Sequence, residues 1–147
     1  MKKSYLLGID IGTSACKVAV FDKEGKVLAA ANGDYPVYYP QEGWAEQNPE
    51  EWWSAVCRAT KETVQKAGIA PAEIAGVGID GQSWSAIALD KEGKVLTNTP
   101  IWMDTRAQET CERLNKEIGE DKIFEVAGNS LQPSYTTAKI IWYRENL

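Results

Sequence analysis

Asp10, Thr13, Ser14 and Lys17 gather an acid, two hydroxyls and a cation within one short stretch, Leu6 to Lys17, which reads LLGIDIGTSACK. Gly12 lies between the acid and the hydroxyls and lets the backbone turn tightly and present its N–H groups. Such a turn can cradle phosphate while a carboxylate holds a hydrated magnesium ion, because magnesium keeps most of its waters and takes only one or two carboxylates. The same residues also fit a plain hairpin in which Asp10 bonds its own turn, as aspartate often does beside glycine. Further along, Gln82, Ser83 and Trp84 follow a second apolar run that ends in an acid, Asp80, and Asp104 and Arg106 close the segment IWMDTR.

These groups need elements to position them. Tyr5, Leu6, Leu7, Ile9 and Ile11 form a nearly continuous apolar run, which predicts a strand buried on both faces and makes Asp10 a buried carboxylate in need of a partner. Ala15 to Asp22 is the second strand and Lys26 to Asn32 the third. Asp22-Lys-Glu-Gly25 between them is a hairpin turn with Gly25 at the position of positive φ. The string DKEGKVL returns at Asp90 to Leu96, where it predicts the same turn between strands Ser85–Asp90 and Lys94–Thr97. Asn48, Pro49, Glu50 and Glu51 spell a helix start, and Trp52/Trp53, Val56, Ala59/Thr60, Thr63/Val64 and Ala67 recur at helical spacing up to Gly68, a stripe that makes the tryptophans scaffold. The loop before it, Tyr35 to Asn48, is rich in aromatics that can stack a sugar or, as the favoured reading, cover the sheet edge. Ala75 to Asp80 is a short strand, and Asp104 can cap a helix striped by Ala107, Cys111, Leu114 and Ile118 and stopped by Gly119, with Arg106 in its first turn. Asp121–Ala127 and Thr137–Glu145 read as two more helices.

Composition excludes several chemistries. The chain has no histidine, which removes Ser-His and Cys-His nucleophiles and most zinc sites. Cys16, Cys57 and Cys111 are far apart and sit in apolar patterns, so buried free thiols are expected in place of a metal knuckle or redox pair. A net charge of −5, with Lys and Arg scattered singly, argues against nucleic acid. No run approaches the ~20 apolar residues of a membrane span, and Met1-Lys2-Lys3-Ser4 leads into a strand and not a signal peptide, so a cytoplasmic address without membrane contact is expected.

GIDIGTSACKVAVFD resembles the first phosphate motif of the actin-like ATPases. With GWAEQNPEEWW, GIDGQSW and IWMDTR following in order, the chain resembles the FGGY family of carbohydrate kinases, and within it the xylulokinases. The resemblance implies an α/β fold of the ribonuclease-H-like, actin-like ATPase kind, with the first three strands as an antiparallel meander in a mixed sheet flanked by helices. It implies that residues 1–147 are the N-terminal lobe of a two-domain sugar kinase whose C-terminal lobe carries the general base and the adenosine site, so that the isolated chain is inactive. It also implies ATP and Mg2+ as cofactors, with Asp10 as the metal ligand and Gly12, Thr13, Ser14 and Lys17 along the nucleotide phosphates.

Gln82, Ser83 and Trp84 match the family's sugar-contacting turn, and Asp104 and Arg106 its Trp-x-Asp-x-Arg signature. Where xylulokinases commonly have Gly-Gln-Met-His, this chain has Gly-Gln-Ser-Trp, which leaves the sugar's identity open. Trp84 could equally be a core residue, with Ala86 and Ala88 on its face of a strand leaving room for the ring. The expected activity is phosphorylation of a sugar hydroxyl, with a ketopentose such as D-xylulose as substrate and a homodimer as a possible assembly. The alternatives are a kinase of the same family for another ketose or polyol, or a non-catalytic actin-like module that binds nucleotide or sugar.

Overall fold

The computed structural model describes residues 4–147, so the reading of Met1, Lys2 and Lys3 lies outside the described residues. The chain divides into two compact units, one formed by the chain up to Pro36 with Glu50–Gln82, the other by Val37–Pro49 with Ser83–Leu147.

The first unit is built on strands β1 (Tyr5–Ile11), β2 (Ala15–Phe21), β3 (Val27–Asp34) and β5 (Ile74–Gly81), in the order β3-β2-β1-β5. β1, β2 and β3 pair antiparallel, and β5 returns parallel to β1, as the expected meander and crossover require. Helix α1 (Pro49–Ala67) lies in the crossover, and Gly68, at φ 65°, ends it. Cys16, Val18 and Val20 alternate inward along β2, and Leu7 and Ile9 do so along β1. Ala55, Val56, Ala59, Thr63 and Val64 are the buried stripe of α1. The Thr63 hydroxyl lies 2.8 Å from the Ala59 carbonyl and 3.3 Å from that of Val18, which ties helix to sheet. The expectation of burial on both faces of β1 holds for one face alone: Leu6 is 52% exposed on the other. Trp52 is scaffold as expected, but its neighbour Trp53 is exposed, because one helical step of ~100° carries it off the buried stripe.

In the second unit, β4 (Glu46–Gln47) pairs antiparallel with β6 (Thr99–Pro100), and three helices follow: α2 (Gln108–Ile118), α3 (Glu120–Ala127) and α4 (Thr136–Asn146). Ala107, Cys111 and Ala138 form their buried centre, with Leu131 and Trp142 packed against it. The two DKEG turns are the same structure. Asp22 Oδ1 accepts from the backbone N–H of Glu24 and Lys26 at 3.0 and 2.8 Å, and Asp90 Oδ1 accepts from Glu92 and Lys94 at the same distances. The strands expected beside the second copy are reduced to an isolated bridge, Leu89 with Val95: Ile87, Leu89 and Leu96 are exposed, and without burial a pattern of alternation has little to hold it in a ladder. Cys16 and Cys111 are buried free thiols as expected, whereas Cys57 is exposed on α1.

β3 and α1 approach closely at Gly33, where a Cβ would lie 2.8 Å from the Ala55 carbonyl oxygen and 2.9 Å from its Cβ. Gly33→Ala should therefore destabilise the fold by about 1–3 kcal/mol through overpacking. Gly78→Ala, where nothing lies within 4 Å, should be close to neutral in the same urea titration. Equal midpoints for the two variants would remove Gly33 from the packing account.

Candidate functional site

In the first unit, strand register sets the chemistry. Asp10 is opposite Lys17 on β2 and level with Asp80 on β5, and Lys17 is opposite Asn32 on β3. Paired residues on adjacent strands share a face, so Asn32, Lys17, Asp10 and Asp80 form one polar row across the sheet. The same four contribute to the lining of a cavity of ≈ 650 Å³. Lys17 Nζ donates to Asp10 Oδ2 at 3.2 Å, with the side chains 67% and 46% exposed. Asp10 is therefore half-exposed and not buried as expected, because it stands at the sheet's open end. An exposed pair of this kind contributes only about 0–1 kcal/mol, so fold stability does not account for it. Asp22 and Asp90 are aspartates that bond their own turns.

The turn after β1 is closed by Gly12 N–H donating to the Ala15 carbonyl at 3.1 Å. Tyr35, buried just after β3, donates its hydroxyl to the Gly12 carbonyl at 2.6 Å and fixes the turn from below. Burial pushes the Tyr35 phenol well up, with the nearby Asp10 carboxylate adding to the shift, so it stays a neutral donor. The sequence marked Tyr35 only as one aromatic in a loop. Its grip on the turn at Gly12 had no signal there, and of the other loop aromatics Tyr38 and Tyr39 are exposed. Thr13 and Ser14 lie in this turn as expected, and the Gln82 N–H donates to the Ile11 carbonyl at 2.9 Å at the end of β5.

In the second unit, Asp104 is fully buried, and both its oxygens are engaged. Oδ2 accepts from Ala45 N–H at 2.7 Å and Arg106 Nη2 at 2.8 Å, and Oδ1 accepts from Arg106 N–H and Nε at 2.9 Å each. Arg106 Nη2 also reaches Glu46 Oε2 at 2.7 Å, and Asn98 donates to the other oxygen of Glu46 at 3.1 Å. The guanidinium sits 3.7 Å from the centre of the Trp44 ring. Asp104 is thus not the cap of α2, nor Arg106 in its first turn, since the helix begins at Gln108 after Ala107. The Thr105 N–H, bonded to Gly43 at 2.8 Å, holds the intervening residues in a separate turn. Arg106 thus has two acidic partners, Asp104 and Glu46.

Trp84 does not sit in a core. Its backbone is at φ 66°, the residue is 47% exposed, and its ring leans on Tyr135 with ring centroids 4.7 Å apart. Ser83 beside it is exposed. Lys139 of α4, with its side chain buried, donates Nζ to the carbonyls of Trp84 at 3.1 Å and Ile101 at 2.8 Å. Nothing in the sequence singled it out beyond a lysine inside an apolar helix. Burial pushes its pKa down to about 8, with Asp104 opposing and Arg106 adding to the shift.

Two outcomes follow from these buried charges. Arg106→Ala strands the carboxylates of Asp104 and Glu46 and should cost about 3–5 kcal/mol in urea unfolding, the scale for breaking a buried pair. Arg106→Lys should recover little of it, for an ammonium lacks the planar fork and the stacking face. A loss below ~1 kcal/mol for Arg106→Ala would show the network to be dispensable. For Lys139, the folded pKa of about 8 lies below the ordinary 10.5, so the unfolded chain binds more protons between those values. Its cost to the fold is complete below pH 8 and fades as pH rises to 10.5. The wild-type protein should therefore gain stability relative to Lys139→Met across that window, the raised tyrosines and cysteines cancelling because both proteins carry them. A flat difference in urea midpoint would sink this assignment.

Residues 5–147 match the N-terminal domain of the FGGY family of carbohydrate kinases. The chain is 33% identical over 143 residues to a glycerol kinase of Thermococcus gammatolerans, covering 97% of this chain and 29% of the relative. It is 33% identical over 142 residues to a xylulose kinase of Bacillus subtilis, covering 97% and 28%. Among solved structures, a xyloylose kinase from Brucella ovis superposes with a TM-score of 0.87 at 32% identity over 97% of this chain and 29% of that one. The chain thus spans less than a third of the length of these relatives. The match over nearly every residue, together with the shared mixed sheet of the actin-like ATPase fold, establishes that this chain belongs to the FGGY family of carbohydrate kinases, through their N-terminal domain.

Proposed function

We propose that the protein carrying this chain transfers the γ-phosphoryl group of ATP to a hydroxyl of a ketopentose such as D-xylulose. In this reading the chain is the N-terminal lobe, and a C-terminal lobe supplies the general base and the adenosine site. The observation that carries the reading is the polar row Asn32, Lys17, Asp10 and Asp80 at the mouth of the Gly12 turn. Phosphoryl transfer is mostly positioning and charge neutralisation, and these residues offer both. Lys17 and the backbone and hydroxyls of Gly12, Thr13 and Ser14 orient the phosphates.

The donor set suits magnesium: Asp10 and Asp80 are adjacent carboxylates in an exposed row, within the one or two that the ion accepts beside its waters. When bound, Mg2+ would neutralise charge on the phosphate oxygens, with Asp10, aided by Asp80, as its holder. Gln82, Ser83 and Trp84 are assigned to the sugar, Gln82 by hydrogen bonding and Trp84 by the apolar face of its half-exposed ring. Asp104 and Arg106, buried and mutually satisfied, serve the sugar site by fixing the segment around Trp44 and Glu46.

A second reading, glycerol or another polyol as substrate, is favoured by the equal identity of the glycerol kinase and the xylulose kinase. ADP release by the full-length protein with D-xylulose, glycerol and other polyols separates the two, with the highest kcat/KM expected for D-xylulose. Absence of ADP release with every polyol would overturn both. In the same assay Asp10→Asn should lower kcat by on the order of a hundredfold, the scale for losing a key electrostatic group, with little change in polyol KM. A near-normal kcat would remove Asp10 from the mechanism.

A further inference from the structure

Tyr135, Lys139 and Tyr143 recur at intervals of four, with Tyr135 capping α4 and the other two within it, and that interval keeps side chains on one helix face. All three engage the chain from Trp84 to Ala86. The Tyr135 ring packs on that of Trp84, Lys139 Nζ donates to the Trp84 carbonyl at 3.1 Å, and the Tyr143 hydroxyl donates to the Ala86 carbonyl at 2.9 Å. Trp84 is the one non-glycine residue with positive φ among the described residues. A bulky side chain persists in that conformation only where its surroundings over-determine it. The same ammonium also holds the carbonyl of Ile101, the residue before Trp102, at 2.8 Å.

A methionine would fill the volume of Lys139 without the desolvation cost of a cation. What the lysine adds is a donor that two backbone segments share. We propose that Lys139, assisted by Tyr143, is a positioning residue that fixes the backbone at Trp84 and Ile101 and thereby sets how the Trp84 ring is presented to the polyol. The inference rests on the assignment of Trp84 to the polyol site, and it adds a second layer of residues that determines specificity without touching the substrate.

The test uses the full-length protein labelled with fluorotryptophan, the Trp84 resonance being assigned by its loss in Trp84→Phe. Lys139→Met should shift or broaden the Trp84 resonance while leaving that of Trp53 in place. It should raise polyol KM about tenfold, with kcat held within about threefold, because a displaced contact away from the reacting atoms loses binding equally in ground and transition states. Tyr143→Phe, which deletes one donor and keeps the ring, should move both readouts in the same direction by less, and it decides the matter should Lys139→Met fail to fold. Val20→Ala, a core cavity in β2, controls for lost stability and should leave KM unchanged. An unmoved Trp84 resonance in the folded variants, or a KM equal to that of Val20→Ala, would overturn the proposal. Should the wild-type protein phosphorylate no polyol, the proposed function fails, while the Trp84 resonance still decides whether Lys139 sets this backbone.

Discussion

The parallel pairing of β5 with β1 is the constraint on which the first unit depends. Antiparallel neighbours can be joined by a tight turn, as β1, β2 and β3 are, but a parallel neighbour requires a crossover long enough to bring the chain back to the starting end. Helix α1 lies in that crossover, and its stripe from Ala55 to Val64 is apolar because it must cover the inner side chains of β1 and β2. Once the crossover closes, Asp80 is carried to the level of Asp10, with Ile9 beside Ile79 and Ile11 beside Gly81. A slip of one residue would turn the acid to the opposite face. The polar row is a consequence of packing one helix on a sheet.

The second unit depends on a different economy of charge. Its buried groups, Asp104, Glu46, Arg106 and Lys139, would each be costly alone, and each is held by partners remote in the sequence. Asp104 alone joins Ala45 to Arg106, and the indole of Trp44 covers the guanidinium face. Networks of this kind define one arrangement more than they add stability, because misplacing any member strands another. That property suits a region whose task in the proposed function is to present Trp84 to a small polyol in a single pose.

The aspartates also differ in what they do. Asp22 and Asp90 are spent on their own turns, Asp104 on a buried guanidinium, and Asp10 meets an exposed lysine. These four aspartates thus have three kinds of surroundings, the DKEG turn being common to two of them. Only the one whose partner is weakly bound and open to solvent is suited to exchange that partner for a ligand.

Most of the elements were legible from sequence, because the signals that make them are local. The three-strand meander, α1 with its Asn48-Pro49 start and Gly68 stop, the Gly25 and Gly93 turns and the helices near the C-terminal end all rest on periodicity, caps and positive-φ glycines, which act over a few residues. The turn after β1 was legible for the same reason: Asp10, Gly12, Thr13, Ser14 and Lys17 are neighbours in sequence. Exposure was not. Leu6, Trp53, Cys57, Asp10 and Trp84 are more open than their patterns implied, since a pattern records which residues could be buried and not whether anything arrives to bury them. Nor could the sequence show Asp80 beside Asp10, Tyr35 beneath Gly12, Asp104 reaching Ala45 or Lys139 gripping Trp84, for these pairs are 23 to 70 residues apart. Local propensity determined the elements and the motif, and only the closing of the chain over those distances decided which charged groups would meet and which would be left open to a ligand.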